Sequence, residues 1–161
     1  MKAYLFMNSI ILLMFCLSVF GCSRGVPKDF PALYPCVITV HQDGTPLAEA
    51  SVLFKPLQED AMSASGITDK KGIAVIKTQA AFDGAPEGTY KVMIAKRTRE
   101  RNPAVKDEDL NALDPTVRLT KEFIVTYLVD PKFGNAAQTP FEIQIQPGKN
   151  ERTFDVTKPN Q

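Results

Sequence analysis

The side chains able to do chemistry are few and scattered in this sequence. Histidine occurs once, at His41, and one imidazole cannot build a multi-histidine metal centre within a single chain. A general base also needs an orienting partner and a nucleophile in reach. His41 ends an apolar run (CVITVH) immediately before the turn residues Gln42-Asp43-Gly44, so an exposed, solvated imidazole is expected. Cys36 opens the same run. A reactive thiolate needs a neighbouring cation or a helix N-terminus, and Cys36 is expected instead to be a small buried residue of the core. Asp107-Glu108-Asp109 gathers carboxylates, but the alternating spacing of a calcium loop is missing, and they read as the solvated start of a helical turn. Lys96-Arg97-Thr98-Arg99-Glu100-Arg101 is dense in cations. Arg97, Arg99 and Arg101 are the candidate partner-facing residues, suited outside the cytoplasm to lipid headgroups, lipopolysaccharide or acidic glycans. No catalytic residue, metal or cofactor is expected, and the chain is expected not to be an enzyme.

The charge balance narrows the partners. The chain has 161 residues, 19 Lys+Arg and 18 Asp+Glu, for a net charge of +1. That neutrality carries no footprint for nucleic acid, which is excluded as a partner. A content of 44% hydrophobic and 23% charged residues is that of a globular domain, and the length allows one.

The N-terminal segment points to export. Met1-Lys2 supplies a positive charge, and Ile10 to Leu17 (IILLMFCL) is apolar without a break, the layout of a secretory signal. The stretch from Ala3 to Gly21 approaches the length of a membrane span, but Asn8, Ser9 and Ser18 interrupt it and no basic cluster follows. Val19-Phe20-Gly21-Cys22 resembles the bacterial lipoprotein box, with an aliphatic residue at −3, a small residue at −1 and then the cysteine. The resemblance implies cleavage before Cys22, a diacylglycerol on its sulfur and acylation of the freed amine. Ser23, not Asp, follows the cysteine, which implies the outer membrane in a cell that has two. Two or three acyl chains anchor stably where one holds only marginally. With Cys16 in the signal and Cys22 lipidated, Cys36 is a lone thiol and no internal disulfide is expected. Ser23 to Pro35 contains three prolines and a glycine and reads as a tether. The expected organisation is a signal peptide over 1–21, a tether over 22–35 and a domain over 36–157. Its partners are the membrane, through the lipid anchor, and an envelope protein or glycan.

The body reads as strands. Prolines and glycines punctuate short runs rich in Val, Ile, Thr, Phe and Tyr. Such runs are Cys36 to His41, Ala50 to Phe54, Ser65 to Thr68, Ile73 to Thr78, Thr89 to Ala95, Glu122 to Val129, Pro140 to Gln146 and Glu151 to Val156. Alternation marks the buried sides: Ala50, Val52 and Phe54; Tyr90, Val92 and Ile94; Phe141, Ile143 and Ile145; Phe154 and Val156. Seven or eight short strands with regular turns predict an all-β sandwich. Residues 96–121 break the rhythm with seven basic and five acidic side chains in 26. They are expected to form a long charged loop packed lightly over one end of the sandwich, with a short helix at 107–113 that Pro115 stops.

The turns carry a second resemblance. Gly44-Thr45-Pro46-Leu47-Ala48-Glu49-Ala50-Ser51-Val52-Leu53-Phe54, Thr68-Asp69-Lys70-Lys71-Gly72 and Pro86-Glu87-Gly88-Thr89-Tyr90-Lys91-Val92 are similar, in that order, to segments of carboxypeptidase-regulatory-like domains. Asp130-Pro131-Lys132-Phe133, Thr139-Pro140-Phe141 and Pro147-Gly148-Lys149-Asn150 resemble the closing part of a bacterial lipoprotein subgroup of that family. The family implies a transthyretin-like, immunoglobulin-like sandwich of seven strands and an accessory or binding role. Where it often carries glycine and an aromatic residue, this chain has Ile38 and Ala74. The histidine sets of transthyretin-related hydrolases and of intradiol dioxygenases do not fit a chain with one histidine. A Lys–Asn isopeptide crosslink, known in related adhesins, has no lysine in the first strand to start from. The alternative to an accessory module is a carbohydrate-binding surface protein, for which Tyr34, Tyr127 and Phe133 are the candidate stacking residues.

Overall fold

The computed structural model describes residues 29–106 and 114–159. Val19, Gly21, Cys22 and the acids at 107–109 lie outside the described residues. From Pro31 onward the chain forms one unit. β1 (Leu33–Tyr34) leads into β2 (Cys36–Gln42), and a tight turn leads to β3 (Thr45–Pro46). β4 (Ser51–Pro56), β5 (Ala64–Ile67), β6 (Ile73–Val75), β7 (Lys77–Thr78), β8 (Phe82–Asp83) and β9 (Ala85–Pro86) follow. β10 (Gly88–Ala95) passes through Lys96 into β11 (Arg97–Arg101), and α1 (Pro115–Glu122) runs into β12 (Phe123–Tyr127). A 3-10 turn at Pro131–Gly134 precedes β13 (Glu142–Ile145) and β14 (Asn150–Val156).

These strands make the expected all-β sandwich. One layer has the order β13-β10-β4-β5-β7-β8, antiparallel at every pairing. The other is built on β2, which takes β3 and β6 antiparallel and β14 parallel. Val52, Phe54, Tyr90, Val92, Ile94 and Ile145 of the first layer are fully buried against Ile38, Val40, Phe154 and Val156 of the second. The alternation expected from the sequence therefore describes the core, because successive strand side chains project to opposite faces. Ile38 and Ala74 are register partners across β2 and β6, both at 0% exposure; the bulk sits on β2 and the small residue on its neighbour.

Two local readings need revision. Ile73 to Thr78, expected as one strand, is two: Ile73–Val75 pairs with β2 in one layer and Lys77–Thr78 with β5 in the other. The chain crosses between layers at Ile76, which is fully buried and donates its N–H to the Cys36 carbonyl at 3.0 Å. Gly66 permits the crossing, since a Cβ there would lie 2.7 Å from the Val75 carbonyl oxygen. Leu33–Tyr34 already pairs with Ala85–Pro86, so the chain is tied to the sandwich ahead of Cys36. The expected Asp69 turn is present. Asp69 Oδ1 accepts from the backbone N–H of Lys71 at 2.8 Å and of Ile73 at 2.9 Å. Those amides, that of Ile73 foremost, hold its carboxyl below the usual range.

The described parts of the segment from 96 to 121 include regular structure. Arg97–Arg101 is a strand, and it pairs with Phe123–Tyr127 as a two-stranded ribbon. Pro115 begins α1, and the helix expected at 107–113 lies outside the described residues. Proline suits a first helical position because its missing N–H is not needed there and its φ is preset. Arg118 N donates to Asp114 O at 2.8 Å in the first turn, and an Arg118–Glu122 pair at 3.5 Å spans one turn of the exposed side. No residue of Arg97–Arg101 or of Phe123–Tyr127 is buried. The ribbon is rooted where Leu128 N and Val129 N donate to Lys96 O at 2.9 and 3.3 Å.

Candidate functional site

Strand pairing turns the arginine cluster into a patterned face. Residues alternate sides along a strand, and directly opposed residues of an antiparallel pair share a side. The register Arg97↔Tyr127, Arg99↔Val125 and Arg101↔Phe123 therefore puts three arginines and three apolar or aromatic residues on one side of the ribbon. The other side carries Thr98, Glu100, Ile124 and Thr126. All of Arg97–Arg101 is exposed, as are Val125 at 41% and Tyr127 at 47%. Arg99 lies across Phe123 on the diagonal, its guanidinium 3.7 Å from the ring centre. That stacking orients the guanidinium and leaves its edge N–H donors to the outside.

A cleft of about 520 Å³ opens at the foot of this same side. Arg97 and Tyr127 form its ribbon wall, and Glu49, Lys96, Asp130 and Gly134 are among the other lining residues. Lys96 is held by a 2.8 Å bond from its Nζ to the Ala48 carbonyl. Asp130 accepts from Lys132 N at 3.0 Å, capping the 3-10 turn, and pairs with Lys132 Nζ at 3.1 Å. The backbone N–H of Lys132, above all, keeps the Asp130 carboxyl below its usual range. Glu49 sits in the left-handed backbone region at φ 57°, a conformation that costs a non-glycine residue energy and persists where neighbours enforce it. Here Glu49 N donates to Thr68 O at 2.9 Å, and the Thr68 hydroxyl bridges Leu47 O and Ala50 N at 2.6 and 2.8 Å. The cleft thus presents fixed groups of both signs beside one exposed phenol ring.

The remaining sequence candidates separate. Cys36 is buried, and burial pushes its thiol up to about 12; it is a core residue, as expected. His41, expected exposed, is half-buried, with Pro46 and Asp155 as its register partners. Of the three aromatic residues considered for sugar stacking, Tyr127 alone is exposed. Phe133 is 5% exposed and stacks on Phe141 at 5.2 Å, and Tyr34 packs half-buried against the core. Among the described residues no cluster of three or more His, Cys, Asp or Glu is placed to hold a metal, and no helix is long and apolar enough to cross a membrane. Sequence reasoning missed Glu49 and Asp130 as neighbours of Arg97, since only folding brings 49, 97 and 130 together. It also missed the apolar half of the ribbon face. The alternation in R-T-R-E-R, read as a strand, was the available signal.

No protein-family model and no curated protein matches the chain. Among solved structures it is similar to a crystal structure of a 9R-lipoxygenase from Cyanothece, at 12% identity and a TM-score of 0.37. The similarity covers 92% of this chain and 20% of that one, so the chain spans about a fifth of the enzyme's length. The expectation that this chain has no enzymatic activity is corrected and not carried forward. It had rested on the single histidine and the buried thiol, and those counts do not reach chemistry carried by carboxylates and phenols that folding assembles. At that TM-score and identity the match assigns no reaction to this chain.

Proposed function

We propose that this chain is a lipid-anchored binding module of the cell envelope. In this reading the acylated Cys22 holds it to a membrane, the residues that follow tether it, and the sandwich carries the ribbon and its cleft as the partner-facing surface. The observation that carries the proposal is the sorting of Arg97, Arg99 and Arg101 onto one exposed side of the ribbon with Tyr127, Val125 and Phe123 between and beside them. Rigid β scaffolds commonly present recognition surfaces on segments of this kind. The turn motifs similar to carboxypeptidase-regulatory-like domains support an accessory role, and the lipoprotein-like Val19-Phe20-Gly21-Cys22 supports export and anchoring, at the outer membrane where there are two. Metabolic labelling with an alkyne palmitate analogue tests the anchor. The label is expected on the wild type and absent from Cys22→Ala; a label on both, or on neither, overturns it.

A second reading is favoured by one feature, the exposed Tyr127 ring on a cleft that also holds Arg97, Glu49 and Asp130. A flat aromatic face beside charged hydrogen-bonding groups is the furniture of a carbohydrate site. A glycan array read with wild type and Tyr127→Ala decides it: signal lost in the variant supports a sugar ligand, and no signal with the wild type removes it.

A further inference from the structure

The two ends of the sandwich differ. β1 pairs with β9 beside the start of β10, where Gly88 faces Ile145, and Asn150 faces Cys36 at the same end. The other end holds Ala95 opposite Ser51, Gln42 bound to the Leu128 carbonyl at 2.6 Å, and the root of the ribbon. β10 connects them over about 25 Å at a strand rise near 3.4 Å per residue. The chain thus joins the sandwich at one pole and sends out the ribbon at the opposite pole.

We infer that the arginine side of the ribbon is a docking surface for an anionic phospholipid bilayer. The inference rests on the proposed role of the ribbon as the partner-facing surface and names what that surface meets. Charge complementarity is the first reason. Arg97, Arg99 and Arg101 repeat every second residue on a side to which β11 and β12 contribute no acid, and the one acid of those two strands, Glu100, is on the reverse. The second reason is the apolar half of the pattern. Val125 and Tyr127 are exposed beside the arginines, and Ile124 is exposed at 49% on the reverse, so strand β12 shows apolar groups on both sides. A hydrated acidic polymer offers nothing for Val125 and Ile124 to enter. A bilayer interface offers phosphates to the guanidinium groups and, a few ångströms deeper, an apolar phase to the neighbouring side chains. Tyr127 combines a ring with a hydroxyl, which suits the boundary between the two. The ribbon leaves from the pole opposite β1, so the surface it is proposed to meet is a second lipid bilayer.

The test uses the full acylated chain in neutral phosphatidylcholine vesicles, mixed with a second population containing phosphatidylglycerol. Flotation with the neutral vesicles reports the anchor, and light scattering from vesicle clustering reports the ribbon. Wild type is expected to cluster the anionic population and not a neutral one, less so as salt rises. The triple variant Arg97→Gln, Arg99→Gln, Arg101→Gln should still float and should lose clustering. Each cation contributes about fivefold to partition onto an anionic surface, so the triple change amounts to roughly a hundredfold. Val125→Ser with Tyr127→Ser should weaken clustering with the arginines intact, which charge alone does not explain. A wild type that floats without clustering anionic vesicles overturns the inference, as does a triple variant that clusters equally well. Binding to an immobilised acidic polysaccharide but not to the vesicles overturns it in favour of a glycan. A chain that fails to float refutes the anchor instead, and direct flotation with the anionic vesicles then decides the ribbon.

Discussion

Thr68 is the residue whose replacement most directly tests how the sandwich shapes the cleft. It is 3% exposed, and its hydroxyl donates to the Leu47 carbonyl at 2.6 Å while accepting from Ala50 N at 2.8 Å. These two bonds close the bend that carries Glu49 at φ 57°. Thr68→Val keeps the shape and removes both bonds, leaving a carbonyl and an amide buried without partners, since Leu47 is 8% and Ala50 0% exposed. An orphaned buried group costs about 1–3 kcal/mol, so the substitution should destabilise the domain by about 2–5 kcal/mol. Thr68→Ser keeps the hydroxyl and loses one methyl, a cost of about 1 kcal/mol. For a domain of this size each kcal/mol lowers Tm by roughly 3–5 °C, which predicts a fall of roughly 6–25 °C for valine and about 4 °C for serine. Thermal melts followed by circular dichroism, at matched concentration and pH, read both variants. If valine melts within about 2 °C of the wild type, or if serine costs as much as valine, the bonded hydroxyl is not what holds the bend.

Three further outcomes are expected. Gly84 has φ 103°, and a Cβ there would lie 2.6 Å from the Tyr34 carbonyl oxygen; Gly84→Ala should push β1 off β9 and cost about 2–4 kcal/mol in a denaturant titration, and an unchanged midpoint would show that β1 yields freely. Burial raises the Cys36 thiol from 9.0 to about 12, so the unfolded chain loses that proton first and stability should fall as pH climbs from about 9 toward 12. Cys36→Ala should flatten that slope, apart from the part due to Tyr90, which burial also raises, and the native thiol should stay inert to a disulfide reagent at mildly alkaline pH; rapid modification without unfolding would sink this. Replacing residues 98–126 by Asn-Gly joins the opposed Arg97 and Tyr127 through a two-residue turn. Because neither ribbon strand has a buried residue, Tm should move by no more than about 5 °C, and a chain that no longer folds would place the ribbon in the core.

Much of this fold is legible in the residues because its signals are local. Tyr90, Val92 and Ile94 face inward because a strand alternates sides whatever its neighbours are. Asp69 makes its turn because a short carboxylate reaches its own backbone amides two and four residues on. The arginines at 97, 99 and 101 are equally visible as a dense cationic run. The lipoprotein-like segment at 19–22 is a pattern of the sequence alone.

What only the tertiary structure decided depends on which strand meets which, and pairings between distant strands leave no periodic trace in either one. β14 lies parallel to β2 after more than a hundred intervening residues. Ile73 to Thr78 splits between two layers because Ile76 fills the core at the crossing. Pro115, expected from the sequence to stop a helix, begins α1, where Arg118 N reaches Asp114 O. The candidate site is the strongest case. Arg97 acquires Tyr127 as a neighbour through register, and Glu49 and Asp130 through the packing of two separate loops. Local alternation determined which side chains share a face; long-range pairing determined which faces meet, and the ribbon and its cleft exist only through the second.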